Sequence, residues 1–323
     1  MIKIAKASRS EYGIKNLCLA GGVALNCVAN GKILQEKIFE NIWIQPAAGD
    51  AGGSLGAALA LWHIEHNNKR IVSLSDDMNG SYLGNEFKQE EIEKELNIAG
   101  ANFETLNYED LIEKTSEFLS KEKAVGWFQG RMEFGPRALG GRSILGDPRS
   151  ENMQKNLNLK VKYRESFRPF APSILREDLP KWFNIDVDSP YMLLVANINS
   201  NKKIEMTDEQ KKLFGIDKLN IKRSQIPAVT HVDYSARIQT VTKNTNNRYY
   251  DLILKFKEKT GCPVIVNTSF NVRGEPIVNS PTDAFNCFMG TELDYLVIGD
   301  CFLDKSKQNP DLKKDYSQEF ELD

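Results

Sequence analysis

A loop-rich stretch between residues 131 and 168 carries nine cationic side chains and only four acidic ones. The nine are Arg131, Arg137, Arg142, Arg149, Lys155, Lys160, Lys162, Arg164 and Arg168. Arginine forks bind phosphate oxygens in pairs, and lysine adds a point charge. The cations alternate with glycine, proline and apolar residues, whereas a solvated helical face would alternate lysine with glutamate. Because glycine turns beside arginines form concave anion sites, the stretch is predicted to bind phosphate.

Two glycine turns near the amino terminus can approach a second ligand. Gly21 and Gly22 follow the apolar run 17–20, and Asn26 is expected one turn into the helix that comes next. Backbone N–H groups at such a turn, together with a helix N-terminus, favour an anion. Asp50 lies in a second glycine turn, where its carboxylate can bind a metal or face a phosphate. A single glycine turn usually only connects two elements of secondary structure, but two such turns in tandem favour a nucleotide site.

A third candidate site follows the apolar run CPVIV at 262–266. Asn267, Thr268 and Ser269 come directly after it, and polar residues at the exit of a buried strand often contact ligands. Ser269 can donate to a phosphate or polarise a carbonyl, although a turn that caps the strand suits these residues equally well. The chain has three histidines and supplies no Ser–His–Asp triad with them. They are His63, His66 and His231, and the first two fit a solvated helix end better than a metal pair.

Segments with helical and strand patterns separate these residues. Two strand–glycine–helix units, with strands at 17–20 and 42–46 and helices at 23–35 and 55–64, predict a parallel α/β layer. Residues 66–90 are polar and read as a linker. Helices are predicted at 108–123, 149–160, 248–259 and 280–290, the last with Ser280 as its N-cap. Strands are predicted at 124–130, 190–198, 236–242 and 262–270, before a charged, frayed tail from 304.

The bulk composition is that of a globular protein of about two domains. The chain has 323 residues, of which 41% are hydrophobic and 27% charged. A net charge of -2 gives no global basic excess for nucleic acid, and no apolar run approaches the ~18 residues that a membrane helix needs. The five cysteines are scattered without CxxC spacing, which favours reduced thiols. We therefore expect a cytoplasmic protein without nucleic-acid or membrane partners.

Six segments, taken together, resemble the O-carbamoyltransferase family that includes nodulation and antibiotic-tailoring enzymes. They are LCLAGGVALNCVANGKIL, QPAAGDAGGSLGAAL, GWFQGRMEFGPRALGGRSIL, YRESFRPFAPSIL, ARIQTV and PVIVNTSFNVRGEPIV, and they extend over most of residues 15–300. The resemblance implies an α/β protein with two linked sites. A YrdC-like domain would join ATP and carbamoyl phosphate into carbamoyl-adenylate, and an actin-like (ASKHA) domain would pass the carbamoyl group to an acceptor hydroxyl.

The resemblance also implies domain bounds and residue roles. Residues 1–80 would be the carboxy-terminal part of the actin-like domain, residues 81–305 the YrdC-like domain, and residues 306–323 a charged tail. In the YrdC-like domain Lys162, Arg237 and Ser269 would be catalytic, and the nucleotide and carbamoyl phosphate would also meet Arg131, Arg137, Arg164, Arg168 and Asn267. In the other domain Gly21, Gly22 and Asn26 would touch the adenylate, and Asp50 would bind an iron-type metal. ATP, with Mg²⁺, would be a substrate.

The resemblance places this chain at the carboxy-terminal side of the family pattern. The histidines that should join Asp50 belong to an amino-terminal half that has no match here, and several ligands are needed for a transition-metal site. We therefore expect this chain to form, or at least bind, carbamoyl-adenylate without transferring the group. Either the chain is a fragment of a longer protein, or another polypeptide supplies the missing half. The acceptor would be a small hydroxyl compound. Two alternatives stay open: a threonylcarbamoyl-adenylate enzyme of tRNA modification, and a non-catalytic truncated subunit.

Overall fold

The computed structural model describes residues 1–72, 76–219 and 221–316, and its first 66 residues form a small α/β layer. The elements are α1 Ile2–Tyr12, β1 Asn16–Leu19, a 3₁₀ turn Gly22–Leu25, α2 Cys27–Gln35, β2 Asn41–Ile44 and α3 Asp50–Ala60, which continues as a π-helical turn Leu61–Glu65. The two strands pair in parallel, with Asn16 opposite Asn41 and Leu19 opposite Ile44. This pairing confirms the predicted parallel layer.

The rest of the described chain is built around a nine-stranded mixed sheet with the strand order β3-β11-β10-β4-β5-β9-β6-β8-β7. Its elements are α4 Gln89–Ile98, β3 Glu104–Thr105, α5 Tyr108–Ser120, β4 Val125–Phe128, β5 Arg142–Gly146, α6 Met153–Lys160, β6 Ala171–Leu175, α7 Leu179–Trp182, β7 Leu194–Asn197, α8 Asp208–Lys212, α9 Gly215–Leu219, β8 Ser235–Val241, α10 Asn247–Thr260, β9 Val264–Ser269, α11 Pro281–Gly290, β10 Tyr295–Ile298 and β11 Cys301–Asp304. The pairs β4–β10 and β6–β8 are parallel, and the other neighbours are antiparallel.

Helix α10 shows how the sequence builds this core. Tyr249, Leu252, Ile253 and Phe256 recur at helical spacing and are buried against α5 and the sheet. The Asn246 side chain accepts from the Tyr249 N–H at the N-cap, and the helix ends at Gly261, whose φ of 73° is one that glycine adopts without strain.

The small α/β layer packs directly on the edge of the large sheet through helix α2. The Asn30 amide donates to Ala24 O at 2.8 Å and to Leu193 O at 3.2 Å, so it joins the two parts. A Cβ on Gly31 would lie 2.3 Å from the Val195 carbonyl oxygen, so only glycine allows this approach of helix and strand. The layer is therefore held against the side of the sheet that carries β8 and β7.

Three expectations about local structure are wrong. Asn26 is the N-cap of α2, where its side chain accepts from Ala29 N at 3.1 Å, because the turn before it is 3₁₀ and delays the helix. Asp50 and the following glycines form the first turn of α3, since the loop ends at Gly49. The linker 66–90 is partly packed, with Met78 and Ser81 buried, although 73–75 lie outside the described residues.

The carboxy-terminal segment is also more ordered than expected. β11 ends at Asp304, and the segment that follows returns over the molecule. Gln308 is buried and donates to Asn102 O, while Tyr316 is buried against Gly290. The frayed tail is therefore wrong for residues 305–316, and 317–323 lie outside the described part. Helices α1 and α4 were not predicted; α1 buries only Ala5 and so shows no apolar periodicity.

Within residues 1–72, 76–219 and 221–316, none of the helices combines the length and apolarity that crossing a membrane requires.

Candidate functional site

A cavity of about 400 Å³ opens where strands β6, β8 and β9 meet the loops before β5 and β6. Its walls come from six places in the chain, namely α2, the loop before β5, the start of β6 with the loop leading into it, the segment before β7, β8 with the turn before it, and the end of β9. The lining residues are Cys27, Pro136, Arg137, Ala138, Arg164, Arg168, Pro169, Phe170, Ala171, Met192, His231, Arg237, Asn267, Thr268 and Ser269. The cavity thus unites residues up to 242 positions apart, Cys27 and Ser269.

Three of the cavity's arginines have no acidic partner among the residues that the structure describes. Arg137, Arg164 and Arg237 form no ion pair with a carboxylate in those ranges. Burial and mutual repulsion lower the pKa of Arg237 to about 10, and burial likewise lowers that of Arg164 to about 10. The Nε of Arg137 is buried without a hydrogen-bond acceptor. Three partly buried guanidinium groups, none of them ion-paired with a carboxylate in the described residues, create a strong demand for an anion.

The loop that carries Arg164 and Arg168 is anchored by Asn158 on helix α6. Arg164 Nε donates to Asn158 Oδ1 at 2.6 Å, and its guanidinium lies 5.0 Å from the Phe170 ring centre. The Asn158 amide in turn donates to Arg168 O at 2.8 Å. Among the cavity arginines in the described part of the chain, Arg168 alone forms an ion pair, with Nε 2.8 Å from Glu165 Oε2, and it is exposed. The two arginines are thus presented from a loop of restricted geometry.

Asn267 is fully buried at the base of the cavity. Its amide nitrogen donates to Ala138 O, Ser173 Oγ and Gln239 Oε1 at 2.9–3.1 Å. Its Oδ1 has no donor within the described residues. The side chain therefore ties β9 to its neighbours and leaves one acceptor unused.

Lys162 lies behind the cavity rather than in its wall. Its side chain is buried, with 4% exposed, and its ammonium donates to Ser269 O at 2.5 Å and Ser269 Oγ at 3.2 Å. It also donates to Asn271 O and Oδ1, both at 2.8 Å. Burial lowers the pKa of Lys162 to about 7, with a smaller contribution from Arg164. Lys162 thus meets the cavity through Ser269, which does line it.

Two residues that were not predicted also line the cavity. Cys27, the first residue of α2, lines the cavity near Arg237, so the small α/β layer forms part of the cavity wall. His231 bonds through Nδ1 to Ser235 Oγ at 3.0 Å, and that hydroxyl donates to Asp233 at 2.6 Å. Burial lowers the pKa of His231, so its ring is neutral near pH 7. The one sequence feature that could have pointed to His231 as a cavity residue is its position shortly before the segment ARIQTV, which contains Arg237.

The structure does not bring every predicted residue to this cavity. Arg131 lines a different depression, with its guanidinium 3.4 Å from Glu86 and bonded to Gly84 O. Gly21 and Gly22 lie at an exposed turn, and Asn26 is engaged in capping α2. These residues lie in the small α/β layer, apart from the lining of the cavity.

Asp50 is exposed at the start of α3, and its surroundings do not form a metal site. Across residues 1–72, 76–219 and 221–316, no group of three or more metal-ligating side chains comes together. One carboxylate does not suffice for an iron-type ion, which usually takes several ligands. No step of the chemistry below is therefore assigned to a metal at Asp50.

Several cations of the 131–168 stretch have structural roles. Arg142 is fully buried, lies 3.5 Å from the Phe128 ring centre and donates to four backbone carbonyl oxygens. Arg149 pairs with the buried Asp147. Lys155 and Lys160 are exposed on α6. Of the nine cations only Arg137, Arg164 and Arg168 line the cavity, so the predicted phosphate patch is smaller than the sequence indicated.

Glu133 organises the loop that carries Arg137. Its buried carboxylate accepts from Leu139 N at 2.6 Å, from Gly141 N at 2.8 Å and from Arg142 N at 3.4 Å. Leu139 and Gly141 precede β5, so the carboxylate supplies an acceptor to N–H groups that lie outside the named strands. The acidic residue in the basic stretch therefore gives the loop its shape.

The protein is thus a mixed α/β protein with an arginine-lined cavity at the ends of its strands, a position where ligand sites of α/β proteins are common. Family comparison narrows this class. The model "Carbamoyltransferase N-terminus" matches residues 1–59, and the model "Carbamoyltransferase C-terminus" matches residues 116–305. The chain belongs to the carbamoyltransferase family, which confirms the resemblance seen in the sequence.

Curated relatives extend beyond the matched part. An uncharacterized protein of Synechocystis sp., sll1178, is 57% identical over 100% of this chain and 53% of its own length. Nodulation protein NolO of Bradyrhizobium diazoefficiens is 41% identical over 90% of the chain and 50% of its own. Nodulation protein NolNO of Sinorhizobium fredii is 40% identical over 93% of this chain and 41% of its own length. The chain thus spans about half the length of the curated relatives it matches.

Proposed function

We propose that the cavity binds ATP, as its Mg²⁺ complex, and carbamoyl phosphate, and that this chain makes carbamoyl-adenylate for an O-carbamoyltransferase reaction. The observation that carries this proposal is the group of three arginines without an acidic partner in the described residues. Family membership supplies the carbamoyl group as the moiety that is activated. In this proposal the large sheet corresponds to a YrdC-like domain and the small α/β layer to part of an actin-like one.

The proposed chemistry needs positioned positive charge more than proton transfer. Water cleaves carbamoyl phosphate into carbamate and phosphate. A carbamate oxygen then attacks the α-phosphorus of ATP, forming carbamoyl-adenylate and displacing pyrophosphate. Arg137, Arg164 and Arg237 would hold the phosphate oxygens and stabilise charge as it develops, since fixed cations in a water-poor cavity act strongly. Arg168, at the exposed rim, would meet the phosphate chain, while Asn267 shapes the base.

We propose that Ser269 contacts the reacting groups and that Lys162 acts through it. The support is that Ser269 lines the cavity while the Lys162 ammonium is 3.2 Å from its hydroxyl oxygen. Arg131 lies outside this cavity, so we assign it no role in activation.

The small α/β layer would belong to the transfer step, in which an acceptor hydroxyl attacks the carbamoyl carbon and releases AMP. Gly21, Gly22 and Asn26 would face the adenylate there, with Asp50 contributing to a site that other residues complete. Helix α3 supports a missing partner surface, because none of its eleven residues is buried.

That exposed surface favours one occupant. The side chains of Leu61, Trp62 and Ile64 beyond α3 are 54%, 57% and 70% exposed, and a patch of this kind usually marks an interface. The relatives contain about as much additional chain as they share with this one. We propose that polypeptide equivalent to this additional part covers α3 and completes the transfer site.

The test is an assay of pyrophosphate and phosphate release with ATP, Mg²⁺ and carbamoyl phosphate. We expect both products with carbamoyl phosphate, and no pyrophosphate when threonine and bicarbonate replace it. Arg237→Met should abolish release, whereas Arg176→Met, which changes an arginine paired with Asp186 and Asp188 outside the cavity, should retain it. Failure of the wild-type chain to bind ATP would contradict the proposal and favour a non-catalytic subunit. Carbamoylation of an acceptor by this chain alone would contradict the proposed division of labour.

A further inference from the structure

Ser269 is held from behind by a side chain outside the cavity. Its hydroxyl donates to Asn271 Oδ1 at 2.6 Å, and the same Oδ1 accepts from the Lys162 ammonium at 2.8 Å. An asparagine amide oxygen has two lone pairs, so both bonds can form at once. One atom of Asn271 therefore sets the direction of the Ser269 hydroxyl and one direction of the Lys162 ammonium.

Asn271 is in turn fixed by the loop that follows it. Its amide nitrogen donates to Glu275 O at 2.6 Å, and the Glu275 carboxylate accepts from Val272 N at 2.7 Å. Glu275 also faces Cys287 of α11 and the buried Tyr316. The loop 271–275 thus closes on itself and is braced by two distant parts of the chain. This bracing leaves the Asn271 amide with one orientation, nitrogen toward Glu275 and oxygen toward Ser269.

The ammonium of Lys162 has more acceptors than protons. Three N–H groups meet four oxygens from Ser269 and Asn271, so at least one proton is shared. The charged groups around it are Arg164 and, more distantly, Glu275, with the neutral thiol of Cys287 beside them. The cation is therefore held by oriented dipoles rather than by a directly bonded carboxylate. Since no carboxylate of the described residues bonds to the Lys162 ammonium, its position and orientation depend on the direction in which each of these oxygen dipoles points.

We infer that Asn271 is a positioning residue of the activation site, which orients the Ser269 hydroxyl and the Lys162 ammonium through its single amide oxygen. This inference rests on the proposed function for its catalytic consequence, but its structural content is independent of that function. Asn271 does not line the cavity and so contacts no ligand directly. Without its oxygen, the Ser269 hydroxyl loses its acceptor and can rotate.

The first test uses no ligand. At about pH 6 the buried Lys162 and the half-buried Lys305 are both charged, since the pKa is about 7 for Lys162 and about 8 for Lys305. In the ammonium NMR spectrum of the ¹⁵N-labelled chain we expect a protected Lys162 signal, assigned by its loss in Lys162→Arg. It should shift or broaden in Asn271→Ala, while the Lys305 signal, held at Phe288 O, should stay unchanged. An unshifted Lys162 signal in Asn271→Ala would overturn the inference.

The second test measures pyrophosphate release and ATP affinity separately. Asn271→Ala should lower the turnover rate roughly ten- to hundredfold, as expected when a reacting group loses its orientation, with the ATP dissociation constant within about threefold of wild type. Asn271→Asp keeps an acceptor oxygen and should recover at least part of the rate. Asn279→Ala, which removes a surface amide bonded to Asn85, is the matched control and should behave as wild type. Equal losses in the alanine and aspartate variants, or loss of ATP binding instead of turnover, would overturn the positioning role.

The two tests separate failure of the inference from failure of the proposed function. A wild-type chain that shows the protected Lys162 signal and its dependence on Asn271, but releases no pyrophosphate, would reject the proposed function and keep the positioning role. Full activity in Asn271→Ala would reject the positioning role and keep the proposed function.

Discussion

Replacing Arg237 by methionine should stabilise the folded chain and weaken ligand binding at the same time. Burial, together with the charges of Arg137 and Arg164, lowers the pKa of Arg237 from 12.5 to about 10. That difference corresponds to roughly 3 kcal/mol against the charged form in the folded chain. Methionine keeps most of the apolar stem and removes the charge.

Not all of this energy should be recovered. Partial solvation screens the repulsion, and the substitution also removes the favourable interaction of the Arg237 guanidinium with Cys27. We therefore expect Arg237→Met to raise the free energy of unfolding by about 1–2 kcal/mol. Loss of a charge-assisted hydrogen bond to phosphate should at the same time weaken ATP binding by about 10- to 100-fold.

Urea unfolding followed by tryptophan fluorescence measures the first effect, and calorimetric titration with Mg-ATP measures the second. Added phosphate should stabilise the wild type more than the variant, because a ligand raises stability only in proportion to its binding. Arg176→Met is the matched control: its arginine is paired with Asp186 and Asp188, so its loss should be neutral or destabilising by up to about 1 kcal/mol. If Arg237→Met is less stable than wild type and binds ATP normally, the argument from uncompensated charge is refuted.

Three further predictions, one of them with a control substitution, test the framework around the site. Glu133→Ala should destabilise the chain by about 2–4 kcal/mol in urea, since it leaves the N–H groups of Leu139 and Gly141 unpaired; a change below about 1 kcal/mol would contradict this. Gly31→Ala should lower the free energy of unfolding by about 3 kcal/mol or more, because its Cβ would meet a backbone oxygen at 2.3 Å. The control is Gly53→Ala in α3, which has open space around it and should be neutral or stabilising by up to about 1 kcal/mol. Burial lowers the pKa of His231 below 6.5, so the folded state binds fewer protons than the unfolded state and loses stability as the pH falls below 6.5. Because glutamine does not titrate, His231→Gln should make this loss of stability smaller. An unchanged dependence of stability on pH would contradict the assignment.

Local sequence patterns predicted most of the helices and strands that carry the site. Helix α11 begins at Pro281 with Ser280 as its N-cap, as its capping sequence indicated, and strand β9 ends at Ser269 after a β-branched run. These features depend on neighbours a few residues away, so periodicity and capping residues report them. The elements that escaped prediction differ in kind: α1 has little apolar periodicity, α4 begins at the end of the stretch read as a polar linker, and β5 and β6 are short strands beside glycine and proline residues.

The sequence alone determined the family, the surplus of arginine between 131 and 168, and the polar exit of β9. It did not determine which cations face a ligand, because arginine serves both as a structural residue bonded to the protein and as a ligand-binding residue. Arg142 is buried under backbone carbonyls, Arg149 is neutralised by Asp147, and Arg137 lines the cavity. Only the pairing of distant segments decides which guanidinium groups are left without a counter-charge.

The tertiary structure likewise decided the place of Lys162 and the part played by Asn271. In the sequence, Lys162 stands among the cations of a phosphate patch, and Asn271 is only one polar residue of the segment PVIVNTSFNVRGEPIV. Folding places strand β9 and the loop 271–275 between Lys162 and solvent, so that the lysine bonds to the protein and reaches the cavity only through Ser269. The residue type shows that Lys162 carries a positive charge. The groups that this charge contacts are oxygens of Ser269 and Asn271, more than 100 residues away, and only the fold brings them within hydrogen-bond distance.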